Sequence, residues 1–239
     1  MRSRVVAIHQ PNFLPWLGFF DKLSRADVFV LLDDVQFAKK GGTWTNRVQI
    51  LVSGEPAWIT VPVDRSYHGT RTIQEMHIDG SGAWRRRIIE TIRQNYSRAA
   101  HFSQVQPVVE EILALETRSL CEFNIAGIRL LLDLMGLPSE HMVRSSTLGV
   151  SGRASELLAA ITAAVGGETY LCGGGAAEYQ EDEVFEDAGI RVLYQDFKDP
   201  RYPQRGTSGF VTGLSVVDAL MNCGSAGTRD ILLRDARML

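Results

Sequence analysis

The chain has 239 residues, of which 45% are hydrophobic and 22% are charged, and its formal net charge is -3. This composition is typical of a folded globular protein, and it argues against a disordered chain and against a nucleic-acid binder that depends on its overall charge. No apolar run approaches the roughly 20 residues of a membrane-spanning helix, and the basic N-terminus lacks the apolar stretch of a signal peptide. We therefore expect a cytoplasmic protein that binds neither a membrane nor a nucleic acid.

The first elements are predicted to form a βαβ unit. Residues 5–8 are a short β-branched run, typical of a buried strand, that ends at His9. The two prolines of the 10–15 segment disfavour helix there, and an amphipathic pattern predicts a helix over 16–26 before a strand over 27–32. His9 and the pair Asp33-Asp34 then follow the carboxyl ends of neighbouring strands, where parallel sheets usually bind ligands.

The rest of the chain predicts a hairpin, a helical unit and further α/β alternation. Strands over 46–52 and 57–63 flank the turn signal at 53–56, and another strand is expected over 73–78. Helical patterns over 83–96, 103–115 and 119–135 form a helical unit spanning 83–136. Further strands are predicted at 142–145, 169–172 and 190–195, and helices at 154–165, at 182–188 and from Ser215 onward. We expect one α/β domain over 1–239, with a parallel or mixed Rossmann-like sheet flanked by helices, for which the HUP type is one candidate architecture.

His9 is the first candidate for catalysis. An imidazole oriented by a carboxylate is a general base suited to neutral pH, and Asp33 or Asp34 is placed to orient it. The alternative is that His9 only fixes the loop through a backbone carbonyl, and that the aspartates bond their own backbone, as Asp often does after a strand.

Two other segments contain candidates for substrate binding. Between residues 39 and 47, Lys39 or Arg47 is placed to hold a phosphate, and Trp44 to stack on a ring, although an ordinary exposed loop has the same composition. Gly173, Gly174 and Gly175 follow a predicted strand and resemble a phosphate-binding loop, but without a GxGxxG or P-loop motif. Tyr194 and Gln195 begin an irregular segment of a length that is often functional.

Metal and cysteine chemistry have little support in the sequence. Cys121, Cys172 and Cys223 form no CxxC pair, and the histidines have no metal-ligand spacing, so we expect no metal site. Cys172 lies at a strand end, but no histidine is near it in sequence and small buried cysteines are common, so we do not expect it to be a nucleophile.

Three blocks of the sequence resemble the opening of the WbqC-like protein family: residues 8–18 (IHQPNFLPWLG), residues 32–37 (LDDVQF) and residues 44–47 (WTNR). The resemblance continues through shorter matches as far as Leu214-Ser215 and so covers nearly the whole chain. The matched blocks contain Gln10, Gln36 and Asn46, which join the substrate-binding candidates. One departure is Cys172-Gly173-Gly174-Gly175, where the family would have a Ser-Gly start and a more open glycine spacing.

The resemblance implies transfer of an acyl or aminoacyl group, often glycyl, to an amine of a small molecule. Such a reaction needs a base for the amine proton and donors for an oxyanion. His9 would be the base, Asp33 or Asp34 would orient it, and Asn46 or the 173–175 amides would meet the oxyanion. We expect no required cofactor; the donor would be a thioester, such as that on the phosphopantetheine arm of an acyl carrier protein, and Arg47 would hold a phosphate of that arm or of a nucleotide sugar.

Two other functions remain open at the level of sequence. One is a nucleotide-dependent ligase or nucleotidyltransferase of the HUP type, although the HxGH motif of that superfamily would fall on residues 16–19, Trp-Leu-Gly-Phe, which lack both histidines. The other is a non-catalytic subunit of a biosynthetic complex, in which His9 and Asp33 only shape a pocket.

Overall fold

A computed structural model of the protein describes residues 3–39, 43–174 and 181–236. The strands are β1 (Val5–His9), β2 (Val28–Leu31), β3 (Arg47–Val52), β4 (Glu55–Thr60), β5 (Met142–Arg144), β6 (Thr169–Cys172) and β7 (Arg191–Tyr194). The helices are α1 (Leu17–Ser24), α2 (Ala83–Tyr96), α3 (Phe102–Ala114), α4 (Leu120–Met135), α5 (Ala154–Ala164), α6 (Asp182–Asp187) and α7 (Val216–Ala236).

Five of the strands form one central sheet in the order β5-β2-β1-β6-β7, and every neighbouring pair is parallel. The predicted Rossmann-like α/β class is therefore confirmed, with a parallel sheet. The chain runs from β1 outward through β2 to β5 and then crosses to β6 and β7 on the other side of β1. The strand order thus reverses between β1 and β6, which places a crevice at the carboxyl ends of these two strands.

Both faces of the central sheet are covered. Val5 and Ala7 of β1 belong to a large apolar cluster that includes residues of α1, of α7 and of the helical unit α2–α4. Val6 and Ile8 alternate with them and belong to a second cluster, which includes Ile161 of α5 and Phe185 of α6. Because successive side chains of a strand point to opposite faces, both faces of β1 are buried, and this explains its continuous apolar run.

The predicted hairpin is a separate antiparallel pair, β3 and β4, joined by a tighter turn than expected. Only Ser53 and Gly54 form the turn, and both have positive φ, 53° and 85°. Glu55 and Pro56 already belong to β4 and pair with Val52 and Leu51. Positive φ at both central residues is the geometry of a type I′ turn, which matches the twist of the strands.

The prediction of a strand over 73–78 is wrong for residues 73–75. Ile73–Glu75 is a short 3-10 helix, and strand-like pairing is limited to single bridges, from His77 to Ser119 and from Ile78 to Val63. The Glu75 carboxylate accepts hydrogen bonds from the Thr72 amide and hydroxyl at 2.8 and 2.9 Å. This cap stabilises a helical turn and outweighs the strand preference of an isolated isoleucine.

Candidate functional site

A crevice of about 580 Å³ lies where the strand order reverses, beyond the carboxyl ends of β1 and β6. Apolar side chains such as Trp16 and Phe197 form part of its wall. The polar groups and bare peptide units that line it are His9, Lys22, Tyr170, Gly173, Gly174 and Gln195. Within the described part of the chain, no arginine, aspartate or glutamate lines this crevice.

His9 ends β1 in the wall of the crevice, with its ring half-buried against Phe19 at a centroid distance of 5.0 Å. Its Nδ1 atom lies 3.0 Å from the carbonyl oxygen of Gln10. A carbonyl only accepts hydrogen bonds, so Nδ1 carries the proton and Nε2 keeps its lone pair. Burial, and then the neighbouring Lys22 ammonium, lower the pKa of His9 to about 4, so the imidazole is neutral at physiological pH.

Lys22 of α1 is the main residue of the crevice that we did not predict from the sequence. Its side chain is buried, and Nζ donates a hydrogen bond of 2.8 Å to the carbonyl oxygen of Ile8, next to His9. Burial lowers its pKa to about 8. The sequence held a signal, because Lys22 lies three residues after Phe19 at the edge of the apolar stripe of α1, where a cation is unexpected.

The structure gives Asp33 a different set of contacts from the one we predicted. Its fully buried carboxylate accepts hydrogen bonds from Arg144 Nε at 2.6 Å and from the backbone and hydroxyl of Ser146 at 3.0 and 2.9 Å. The Ser145 hydroxyl lies 3.1 Å from Asp33 and 2.5 Å from Asp34. The hydrogen bonds of Ser146 and Arg144 lower the pKa of Asp33 despite its burial. Asp33 therefore fastens the end of β2 to the end of β5, and the ring of His9 is oriented by the Gln10 carbonyl instead.

Gln10 and Asn46 take part in the contacts that hold the loop after His9. The Gln10 side chain accepts a hydrogen bond of 3.3 Å from the Thr45 hydroxyl. Asn46 is buried, and its Nδ2 donates to the carbonyl of Val61 at 3.0 Å. The prediction that the Asn46 amide meets an oxyanion in the crevice is not supported by its position, since Asn46 is not among the described residues that line the crevice. Asn124 of α4 was missed: its Nδ2 bridges the carbonyls of Pro11 and Thr45 at 2.8 and 2.7 Å.

The other candidates between residues 36 and 47 lie outside the wall of the crevice. Lys39 donates a hydrogen bond of 2.6 Å to the Tyr67 carbonyl, and exposed Gln36 pairs with Thr72. Trp44 is 39% exposed and packs edge-to-face on Trp58 at 5.4 Å. The Arg47 guanidinium lies 4.2 Å from the Trp58 ring. Trp44, Trp58 and Arg47 thus form an aromatic and basic cluster, and the role of these candidates in substrate binding stays a prediction.

Of the substrate-binding candidates that follow or end β6 and β7, some lie in the wall of the crevice and one lies at the protein surface. Gly173 and Gly174 line the crevice, whereas Gly175 lies outside the described residues. Gln195 is buried in the wall, and its Nε2 donates to the Gly18 carbonyl at 2.6 Å and to the Asp21 carboxylate at 2.7 Å. The Tyr194 hydroxyl, by contrast, donates to the Asp182 carboxylate at the surface.

The parallel sheet, with a crevice at its reversal point, defines an α/β protein of the Rossmann-like class. The family model described as the WbqC-like protein family matches residues 10–230, and the chain belongs to this family. The chain is also 31% identical to the uncharacterized protein Rv1507c of Mycobacterium tuberculosis over 221 residues, which are 92% of this chain and 94% of that protein. No solved structure matches the chain. None of the described helices combines the length and apolar character needed to cross a membrane.

Proposed function

We propose that this protein transfers an acyl or aminoacyl group, such as glycyl, from the thioester of a carrier protein to the amine of a small molecule. The observation that carries the proposal is the position of His9 in a crevice at the reversal point of the sheet, with Nδ1 bonded to the Gln10 carbonyl, so that Nε2 is the nitrogen that can accept a proton. The resemblance to proteins associated with amide formation supports the same reaction.

The first role of the site is to remove a proton from the attacking amine. The amine nitrogen forms a bond to the thioester carbon, and its proton passes to Nε2 of His9. The pKa of about 4 keeps His9 in its basic form at neutral pH, but it also makes the imidazole a weaker base. The hydrogen bond from Nδ1 to Gln10 fixes the ring and partly compensates, because it favours the protonated form.

The second role is to stabilise the negative charge that develops on the thioester oxygen. Gly173 and Gly174 lack side chains, so a substrate carbonyl can approach their peptide groups closely. Their N–H groups are the candidate oxyanion donors in place of Asn46. The carbon–sulfur bond then breaks, the thiolate leaves with the pantetheine arm, and the proton on His9 protonates it.

Nucleotide-dependent ligation or nucleotidyl transfer is a second candidate. The observation that favours it is the sheet itself, because doubly wound parallel sheets commonly bind nucleotides at the reversal point of their strand order. The described residues of the crevice favour it less, since they offer a single cation, Lys22, for the several charges of a triphosphate.

A transfer assay separates these functions. The purified protein is incubated with a glycyl-loaded carrier protein and a panel of small amines, with and without ATP and magnesium, and mass spectrometry detects amide products. The proposal expects an amide that forms without ATP. A product that requires ATP and magnesium would support the second candidate and contradict the first.

A further inference from the structure

We infer that the crevice binds a singly charged anionic group of its ligand, a carboxylate or a phosphodiester, against the ammonium group of Lys22. This inference deepens the proposed function by giving the charge of the substrate, and it rests on that function only for the identity of the ligand. The binding itself requires no catalysis and can be measured without any turnover.

The first support is the burial of a charge without a carboxylate partner. The Lys22 side chain is only 3% exposed, and within the described part of the chain Nζ makes one hydrogen bond, to the Ile8 carbonyl. No carboxylate lies within ion-pair distance of Nζ among the described residues. The neighbouring Asp21 bonds Gln195 and Arg25 instead. An ammonium group has three N–H donors, and a buried charge is stable only when it is paired, so a ligand anion would complete this site.

The second support is the space beside the ammonium group. A side-chain carbon placed on Gly173 would lie 3.8 Å from Nζ, so the bare backbone of this glycine forms a wall next to the cation. The ring of Tyr170 lies 6.0 Å from Nζ on the same strand end. Both residues line the crevice together with Lys22, so an anion in the crevice would lie against the part of the wall that contains Lys22.

The third support is that the titratable groups facing Lys22 are neutral at physiological pH. His9 on β1 has a pKa of about 4, and burial raises the pKa of Tyr170 and Cys172 on β6. Lys22, with a pKa of about 8, is then the charged group among the described residues that line the crevice, and one positive charge is best matched by one negative charge. Two sources have this charge: a carboxylate on the amine acceptor, or the phosphodiester of a phosphopantetheine arm.

The test uses NMR of the whole protein labelled at the lysine Cε carbons. The chain has 4 lysines, at positions 22, 39, 40 and 198, and Lys22→Gln assigns the signal of Lys22. Acetate and dimethyl phosphate are the two anionic probes, and acetamide is the neutral control. Lys198→Gln is the matched control variant, because Lys198 is 85% exposed on its side chain.

We expect at least one anionic probe to shift the Lys22 signal saturably and to raise the pKa of Lys22. Its affinity should be at least about tenfold weaker in Lys22→Gln, unchanged in Lys198→Gln, and should fall about tenfold per pH unit above the pKa of Lys22. Tighter binding of acetate would indicate a carboxylate on the acceptor, and tighter binding of dimethyl phosphate would indicate the carrier arm.

The inference is overturned if neither probe shifts the Lys22 signal saturably, or if acetamide shifts it equally. The titration of the wild-type protein decides this even if Lys22→Gln does not fold. Anion binding without any amide product would contradict the proposed function alone, whereas amide formation without anion binding would contradict this inference alone.

Discussion

At His9, opposing influences act on one imidazole. Burial and the Lys22 ammonium disfavour the protonated ring, while the hydrogen bond to the Gln10 carbonyl favours it, and burial dominates. The sequence predicted the position of His9 at a strand end. It did not predict the low pKa, because the burial of the ring and the proximity of Lys22 are both set by the tertiary fold.

The depressed pKa of His9 makes stability depend on pH. The unfolded chain binds a proton at this residue near pH 6.5, and the folded protein does so only near pH 4, so stability falls as the pH drops through that window. Between pH 7 and pH 5 this loss is at most about 2 kcal/mol. In urea unfolding, the free energy of unfolding of His9→Asn should fall less between pH 7 and pH 5 than that of the wild-type protein, by about this amount. His68→Asn, at an exposed histidine, should keep the wild-type loss, and an equal loss in all three proteins would refute the assigned pKa.

Asp33 illustrates the limit of sequence reasoning at a single residue. Its place after a buried strand was predicted, but its partners Arg144 and Ser146 lie more than a hundred residues away in sequence. Only the pairing of β2 with β5 brings them together. A carboxylate after a strand therefore has the same local signature whether it orients a base or joins two strands.

The contacts of Asp33 predict a large effect of its removal on stability. Asp33→Asn should lower the free energy of unfolding by about 3 kcal/mol at neutral pH, because it leaves Arg144 without its buried partner. The folded pKa of Asp33 is lowered, so its contribution is complete above the unfolded pKa and is lost as the pH falls through the folded pKa. Denaturant unfolding measures the difference in free energy of unfolding between the wild-type protein and Asp33→Asn. This difference should keep its full size at pH 5 and should shrink in stronger acid.

The exposed Asp133→Asn is the matched control for this measurement and should stay within about 0.5 kcal/mol of the wild-type protein. If Asp33→Asn proved as stable as this control, Asp33 would not join the two strands, and its original assignment to His9 would regain support.

At the scale of elements, α1 shows why an amphipathic pattern is not sufficient to predict which residues of a helix are buried. All residues from Leu17 to Leu23 are buried, including Asp21 and Lys22. The periodicity correctly predicted a helix, but it also suggested a solvated polar face. The irregular segment after β7 covers that face, with Gln195 bonded to Asp21, and no local pattern indicates this contact.

A second element, α4, holds the loop that follows His9. The side chain of Asn124 donates to Pro11 and Thr45, so Asn124→Leu would leave two buried carbonyls without their donor. We expect a loss of about 2–4 kcal/mol in the free energy of unfolding, together with slower transfer, because the loop beside His9 loses its anchor. Chemical denaturation and the transfer assay measure the two effects. Gln94→Leu, at an exposed position of α2, should change neither, and a similar loss in both variants would contradict the anchoring role.

At the scale of the whole molecule, residues far apart in sequence meet around the loop of residues 10–15 that follows His9. Ser215, before α7, donates its hydroxyl proton to the Leu14 carbonyl, and the Val216 amide donates to Pro15. Local patterns predicted most helices and strands and the α/β class. They could not predict the strand order that opens the crevice, because that order is set by contacts between distant segments.

The most direct test of the account is a single-turnover transfer assay with the His9→Asn variant. Asparagine keeps an Nδ donor for the Gln10 carbonyl but has no Nε2 base, so folding should persist while the reaction slows. We predict that transfer from a glycyl carrier thioester to an amine slows by about 10²–10⁴-fold in His9→Asn and keeps its rate in His68→Asn. Full transfer activity in a correctly folded His9→Asn protein would contradict the assignment of His9 as the base.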